Sequence, residues 1–202
     1  MTAPTQTTAP PPPDEPLLRH TLRIQARANR LMNHRLHAAM APLSGAELHA
    51  PRTSFFPSLI ATLNHILEVD GYYVGALAGD DVATHWDRFV PATDLAGLAA
   101  RQRAVDERLI AFCDRLDAAG CARVVELPRA GRRVQRERVV HVLAHLHMHQ
   151  IHHRGQVHAM LAGTAVKPPQ LDEFLMPSEG ELRQLDMAAL GWDEAAVYGV
   201  LP

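Results

Sequence analysis

The stretch RERVVHVLAHLHMHQIHHRGQVHAMLAG, residues 136–163, decides the fold, and it holds seven of the chain's thirteen histidines. It contains no proline, and its only interior glycine is Gly155. Apolar residues recur at Val139, Val140, Leu143, Leu146, Val157, Met160 and Leu161. That spacing predicts one amphipathic helix of about seven turns, with the apolar residues in a single stripe.

His149 and His153 fall on the edge of that stripe. Four residues apart, they stack one turn above the other, roughly 6 Å along the axis. Two imidazoles at this spacing can share one metal ion. His145 and His152 lie further round one flank, His147 and His158 on the other. Histidines four apart on a helix are more often solvated or paired side chains than ligands. The stripe-edge position favours a metal, and a metal then demands a third ligand from elsewhere. The far side of the helix is not polar, since Ala144, Met148, Ile151 and Gly155 lie there. A helix apolar on two sides needs cover on both, either from a second copy in a homodimer or from the C-terminal segment around Leu190 and Trp192. Gly155 costs about 1 kcal/mol relative to alanine inside a helix, so another backbone is expected to approach it closely.

Upstream, CARVVELP at 121–128 reads as extended, and RAGRRVQ completes a short hairpin turning at Ala130-Gly131. Arg129, Arg132, Arg133, Arg136 and Arg138 cluster there. They read as a solvated hairpin or, more sharply, as an anion site for an acidic co-substrate. A third helix is expected over 94–119, with Leu95, Leu98, Val105, Leu109, Phe112 and Leu116 on its face and Gly120 stopping it. A long connection, 79–93, precedes it. The second helix is expected from Pro57, in a first-turn position, to Ala78. Its stripe is Leu59, Leu63, Ile66, Tyr73 and Leu77. His65 sits on the flank, beside Val69 and Tyr72, where a lone histidine is most often simply packed. Asp70 falls near the stripe's centre, and a buried carboxylate needs a partner: Arg30 or Asn29 of the first helix, or a histidine. That first helix starts at Asp14 as N-cap, with Pro16 in its first turn, and runs to Met40. Leu17, Leu18, Leu22, Ala26, Leu31 and Leu36 form its core face. Pro42 and Gly45 end it, and a polar loop, LSGAELHAPRTSFF, follows.

Residues 1–13, rich in proline, threonine and alanine, are expected to be a disordered tail. After the fourth helix, VKPPQLDEFLMP is too proline-rich to continue helical, and the last segment is expected to hold one short helix whose Trp192 and Tyr198 pack back. No internal repeat is visible. Four long amphipathic helices with little strand signal predict an all-α four-helix bundle over 14–176, with a C-terminal extension over 177–202.

With 202 residues and 47% hydrophobic content the chain is long enough for one domain with a sizeable core. A formal charge of -2 argues against nucleic acid or an anionic membrane as the main partner. Cys113 and Cys121 form no CxxC or zinc-ribbon spacing, and free thiols fit a cytoplasmic protein. No apolar run approaches the ~18 residues needed to span a membrane. The N-terminus shows no basic region leading into an apolar one, so no signal peptide is expected.

ARANRLM at 26–32, SFFPSLIATLNH at 54–65, VLAHLHMHQIHHRGQVHAML at 142–161 and VKPPQLDEFL at 166–175 together resemble the DinB family of metal-binding four-helix bundles. The resemblance covers about residues 17–176. HxxxHHRGQ after a TLNH helix is its specific part. It implies an up-down-down-up bundle holding a divalent metal on three histidines, one from the second helix and two from the fourth. On this chain those are His65, His149 and His153. It implies zinc or nickel, and relatives that are thiol-dependent transferases or isomerases. The proline-rich start and the extension after 177 depart from the family's pattern.

The chemistry agrees with that implication. Neutral imidazoles suit zinc, nickel and iron, and manganese is a further candidate. Three protein ligands leave a position for water or substrate, as in catalytic zinc sites. Each histidine's second ring nitrogen wants an acceptor, and Asp70, Glu68 or a water could serve. No Ser/His/Asp arrangement, phosphate-binding glycine loop or GxGxxG is visible. Three functions follow as alternatives: a stress or detoxification metalloenzyme transferring a low-molecular-weight thiol to a small electrophile, a metal-dependent hydrolase, and a non-catalytic metal-binding protein. Neither cysteine belongs to the histidine constellation.

Overall fold

The computed structural model describes residues 15–129, 131–172 and 176–198. In chain order the elements are α1 (Glu15–Met40), α2 (Gly45–His49), α3 (Leu59–Ala78), α4 (His85–Arg88), α5 (Leu95–Asp114), α6 (Ala118–Ala122), β1 (Val124–Leu127), β2 (Gln135–Arg138), α7 (Val139–Leu161), a 3-10 helix (Pro177–Arg183), α8 (Gln184–Leu190) and α9 (Glu194–Tyr198). The protein is mostly helical, as its periodicity predicts. Of the long helices, α1 packs on α5 and α7, and α3 packs on the same two. Each therefore buries a stripe against two neighbours around one interior.

That interior is layered. Nearest the hairpin, Leu22, Ala26, Tyr72, Leu77, Leu109, Leu143 and Leu146 form one apolar cluster. At the other end Leu36, Met40, Leu59, Leu63, Ile66, Leu98, Val157 and Leu161 form a second. Burying each such side chain contributes roughly 1.5–3 kcal/mol. Between the clusters every long helix carries buried polar residues: Asn29 and Asn33 on α1, Asp70 on α3, Gln102 and Asp106 on α5, Gln150 and Arg154 on α7. Asp106 accepts from Asn29 and Asn33 at 3.0 Å each and from Gln102 at 3.1 Å. Asp70 Oδ2 accepts from Gln102 at 2.8 Å and from Gln150 at 3.0 Å. Arg154 donates to the side-chain oxygens of Asn29 and Asn33. The partners expected for Asp70 are therefore corrected. Asn29 serves Asp106 instead, and two glutamines hold Asp70, because amides can donate without adding a second buried charge.

Several boundaries differ from the sequence reading for local reasons. Pro57 lies outside α3, since Ser58 caps it, its Oγ accepting from Ala61 N–H at 3.3 Å. The loop after α1 contains α2, started by a capping box between Ser44 and Glu47. The third helix ends at Asp114, and Gly120 sits within α6, which Asp117 caps. The long connection 79–93 holds α4. The hairpin pairs Val124–Leu127 with Gln135–Arg138 antiparallel, so Arg136 and Arg138 belong to β2 rather than to the helix. Gly131 takes φ 68° there, the left-handed conformation a tight turn needs. Ala130, the N-cap Asp14 and the tail 1–13 lie outside the described residues.

Two positions of the expected stripes also change: Leu17 is 63% exposed, and in the first turn of α7 Val142 is buried beside Val139 while Val140 is only half-buried. The C-terminal segment holds more helix than one short piece. Its Met187 and Tyr198 are buried with Ala28, Leu31 and Met32 of α1, and Leu190 and Trp192 pack against them. That leaves Met148 and Ile151 on α7 uncovered, 72% and 64% exposed. A Cβ at Gly155 would meet nothing within 4 Å, so the close backbone approach expected there is not made among the described residues.

Candidate metal centre

α3 and α7 pack side by side, which sets the flank of one against the stripe edge of the other. His65 projects from α3, and His149 and His153 project from successive turns of α7. One ring nitrogen from each lies within 4.8 Å of the others. The Nε2 atoms of His65 and His149 are 3.0 Å apart. Two nitrogens bound to one tetrahedral zinc at ~2.05 Å stand about 3.4 Å apart, so the observed separation is close to that of co-ligands. Burial, with neighbouring histidines adding to it, pulls the His65 imidazole down to about 4 and that of His149 to about 3. Burial also lowers His153. At neutral pH all three rings are uncharged, the form in which imidazole ligates. Two uncharged rings with facing lone pairs need a proton or a cation between them, and the donor set fits a divalent ion.

His153 Nδ1 donates to Gln156 Oε1 at 2.8 Å. This bond fixes the tautomer that leaves Nε2 free to ligate. The amide nitrogen of Gln156 in turn reaches His152 Nε2 at 3.2 Å. Gln156 was not among the acceptors expected from the sequence; three residues after His153, it is within side-chain reach on one helix face, and only that spacing could have pointed to it. Asp70 is committed to the buried layer. His149 Nδ1 is buried with no hydrogen-bond partner among the described residues. Replacing Gln156 by Leu is expected to weaken metal affinity about 10–100-fold while Gln156→Glu retains it, which competition against a chelating dye would measure; equal affinities for wild type and Gln156→Leu would refute the role.

The other histidines of the stretch divide. His147, expected on a flank of the stripe, is buried, and desolvation lowers it to about 4. His145 is exposed and leads away from the three-histidine group, its ring 6.3 Å from that of His149 and 5.3 Å from that of Tyr73. Beside it opens a cavity of about 360 Å³ lined by Tyr73, Leu127, Arg129, Gln135, Glu137, His141, Val142 and His145. Only Arg129 of the five clustered arginines lines this cavity. It donates to the Tyr73 hydroxyl at 2.7 Å and lies over the Tyr72 and Trp86 rings. Arg136 faces Glu126 across the hairpin at 3.5 Å, and Arg132, Arg133 and Arg138 are exposed. On the opposite side of the ligands Phe56 covers His65 and His153, with ring centroids 4.3 and 5.7 Å away. Cys113 and Cys121 are buried, and burial pushes the Cys113 thiol up to about 12.

Residues 19–183 match the DinB family. The chain belongs to the DinB family. No curated protein matches it. As a DinB protein it presents a three-histidine group at the positions the family resemblance implies, and no helix among the described residues is long and apolar enough to cross a membrane.

Proposed function

We propose that this DinB protein is a cytoplasmic metalloenzyme of stress detoxification that transfers a low-molecular-weight thiol to a small electrophile. The observation that carries this reading is the convergence of His65, His149 and His153, with a cavity holding Arg129 one turn further along α7 at His145. The three imidazoles would hold zinc or nickel, or alternatively iron or manganese, leaving a coordination position open. A divalent ion there supplies a Lewis acid that lowers the pKa of a thiol or water.

The chain's own residues do the rest. Gln156 holds the His153 tautomer. Arg129, braced by Tyr73, receives a carboxylate of the thiol co-substrate through charge-assisted hydrogen bonds. His145 and Tyr73 connect that cavity to the ligands. In the transfer, sulfur bonds to the electrophilic carbon, the bond to the leaving group breaks, and that group departs with the electron pair. The thiol proton leaves to solvent. Cys113, buried and held protonated, takes no part.

We also read the long helices as an up-down-down-up bundle over 14–176, with 177–202 as an extension. The exposed Met148 and Ile151 face of α7 is read as a homodimer contact.

Glu137, which lines the same cavity, favours a second reading, a metal-dependent hydrolase with a carboxylate as general base. The two separate by assay. Metal-loaded protein is incubated with a panel of thiols and a chromogenic electrophile, and separately with ester and amide substrates. The expected result is a metal-dependent rate with thiols that falls to background in His153→Ala and survives Cys113→Ser with Cys121→Ser. Arg129→Met should raise the acidic thiol's KM about tenfold. Hydrolysis without any thiol-dependent rate would replace the first reading by the second.

A further inference from the structure

Phe55 is 80% exposed, the most exposed aromatic side chain among the described residues. It stands edge-on to Phe56, ring centroids 4.9 Å apart at 83°, and Phe56 lies in turn against His65 and His153. An uncovered apolar ring thus stands one ring removed from the candidate metal centre, with Phe56 between them. The segment that carries it is held in place. Arg52 N–H donates to Pro57 C=O at 2.8 Å, closing the loop around the two phenylalanines. The Arg52 side chain donates to Glu47 C=O at 3.1 Å, and Ser58 anchors the far end as the α3 cap. Both phenylalanines are therefore presented by a closed loop and not by a frayed one.

The size of the feature indicates its occupant. A protein partner needs a contact of several hundred Å² per side. Phe55 is one ring whose neighbours are the exposed prolines Pro51 and Pro57 and the exposed Thr53. The exposed large apolar residues of α7, Met148 and Ile151, lie on the face of that helix away from the three histidines. A single preorganised aromatic beside an open coordination position matches a small flat molecule, which gains offset or edge contacts with both rings.

We propose that Phe55 and Phe56 form the platform for a flat, apolar second substrate, an aromatic or conjugated electrophile, placed against the metal histidines opposite Arg129. This rests on the reading of His65, His149 and His153 as metal ligands. The site is then two-sided. The polar cavity takes the acidic thiol, the phenylalanine platform takes the apolar electrophile, and the reacting atoms meet over the ligands.

The test uses nitrobenzene, which lacks a good leaving group, as an unreactive probe with untagged full-length protein loaded with cobalt(II) or with zinc. Paramagnetic relaxation of the probe's ring protons reports binding near the metal without any turnover. The expected result is enhanced relaxation with cobalt over zinc, about tenfold weaker apparent binding in Phe55→Ser, and recovery in Phe55→Trp. Phe55 is exposed, so these variants should fold, and cobalt content and melting curves verify that. No enhancement in wild type, or equal enhancement in Phe55→Ser, would overturn the platform. A change of oligomeric mass in Phe55→Ser would also overturn it, because the ring's occupant would then be a second copy. Probe binding without thiol turnover would leave the platform standing and remove the transferase reading; turnover without probe binding would remove the platform alone. A protein that takes up no cobalt would remove both.

Discussion

Arg154→Met is expected to destabilise the protein by about 3–5 kcal/mol, the cost of removing one member of a buried charge group. Arg154 is 4% exposed, and Asp70 and Asp106 are buried at 0% and 1%. Burial, with each other's charge, pushes Asp70 up to about 7, and burial pushes Asp106 up to about 6. Both carboxylates lower their burden through Arg154 and through donated amide hydrogens. Methionine keeps the length of the stem and removes the cation that attracts both carboxylates, leaving Asp106 to the buried Arg30 and Asp70 to amide hydrogens alone. The deficit should therefore depend on pH, with a definite sign. Both groups have folded pKa values above the unfolded value near 4, so their contribution is present below about pH 4 and is lost as pH rises through 6 to 7. In Arg154→Met the folded values rise further. The deficit should be smallest below about pH 6, where both carboxyls are protonated with or without Arg154, and should grow as pH rises past 7 toward the variant's raised values; Asp106→Asn in the same chain should recover part of it. Urea denaturation of metal-free protein across that range measures it. A deficit under 1 kcal/mol, or one that grows on acidification, would contradict this account of the layer.

The same layer marks where the sequence stopped being legible. The α3 stripe Leu59, Leu63, Ile66, Tyr73 and Leu77 is buried as its periodicity predicts. The four-residue spacing of His149 and His153 also puts that pair on one edge of α7, and the family resemblance, rather than spacing, points to His65 as their neighbour. The spacing readings work because apolar spacing and helical geometry are local properties. Gln150 and Arg154 are not part of the apolar stripe of α7, and His147 falls on a flank of it. They are buried because α1, α3 and α5 supply Asn29, Asp70, Gln102 and Asp106 at the same level. Nothing within the 136–163 stretch announces that match, since it depends on the register of four helices. The arginines failed for a similar reason. Five of them are close in sequence, but strand alternation and the Gly131 turn send all but Arg129 away from the cavity. Helix caps were partly legible. The sequence offers Thr93 or Asp94 as the cap of α5, and Asp94 holds that place, whereas the Ser44–Glu47 capping box lies in a segment whose composition reads as loop.

The second large effect concerns the ligands themselves, and it bears on the central claim that His65, His149 and His153 hold one divalent ion. Removing one imidazole of three leaves two nitrogens and solvent, which cannot retain a metal through dialysis against a chelator, whereas removing a histidine outside the group should change nothing. His141 is the control, exposed on the same helix and two turns away. The most direct measurement is metal content by mass spectrometry on untagged protein after such dialysis. The account predicts close to one ion per chain for wild type and for His141→Ala, and a background level for His65→Ala, His149→Ala and His153→Ala. Metal retained at the wild-type level in His65→Ala and His149→Ala would contradict it.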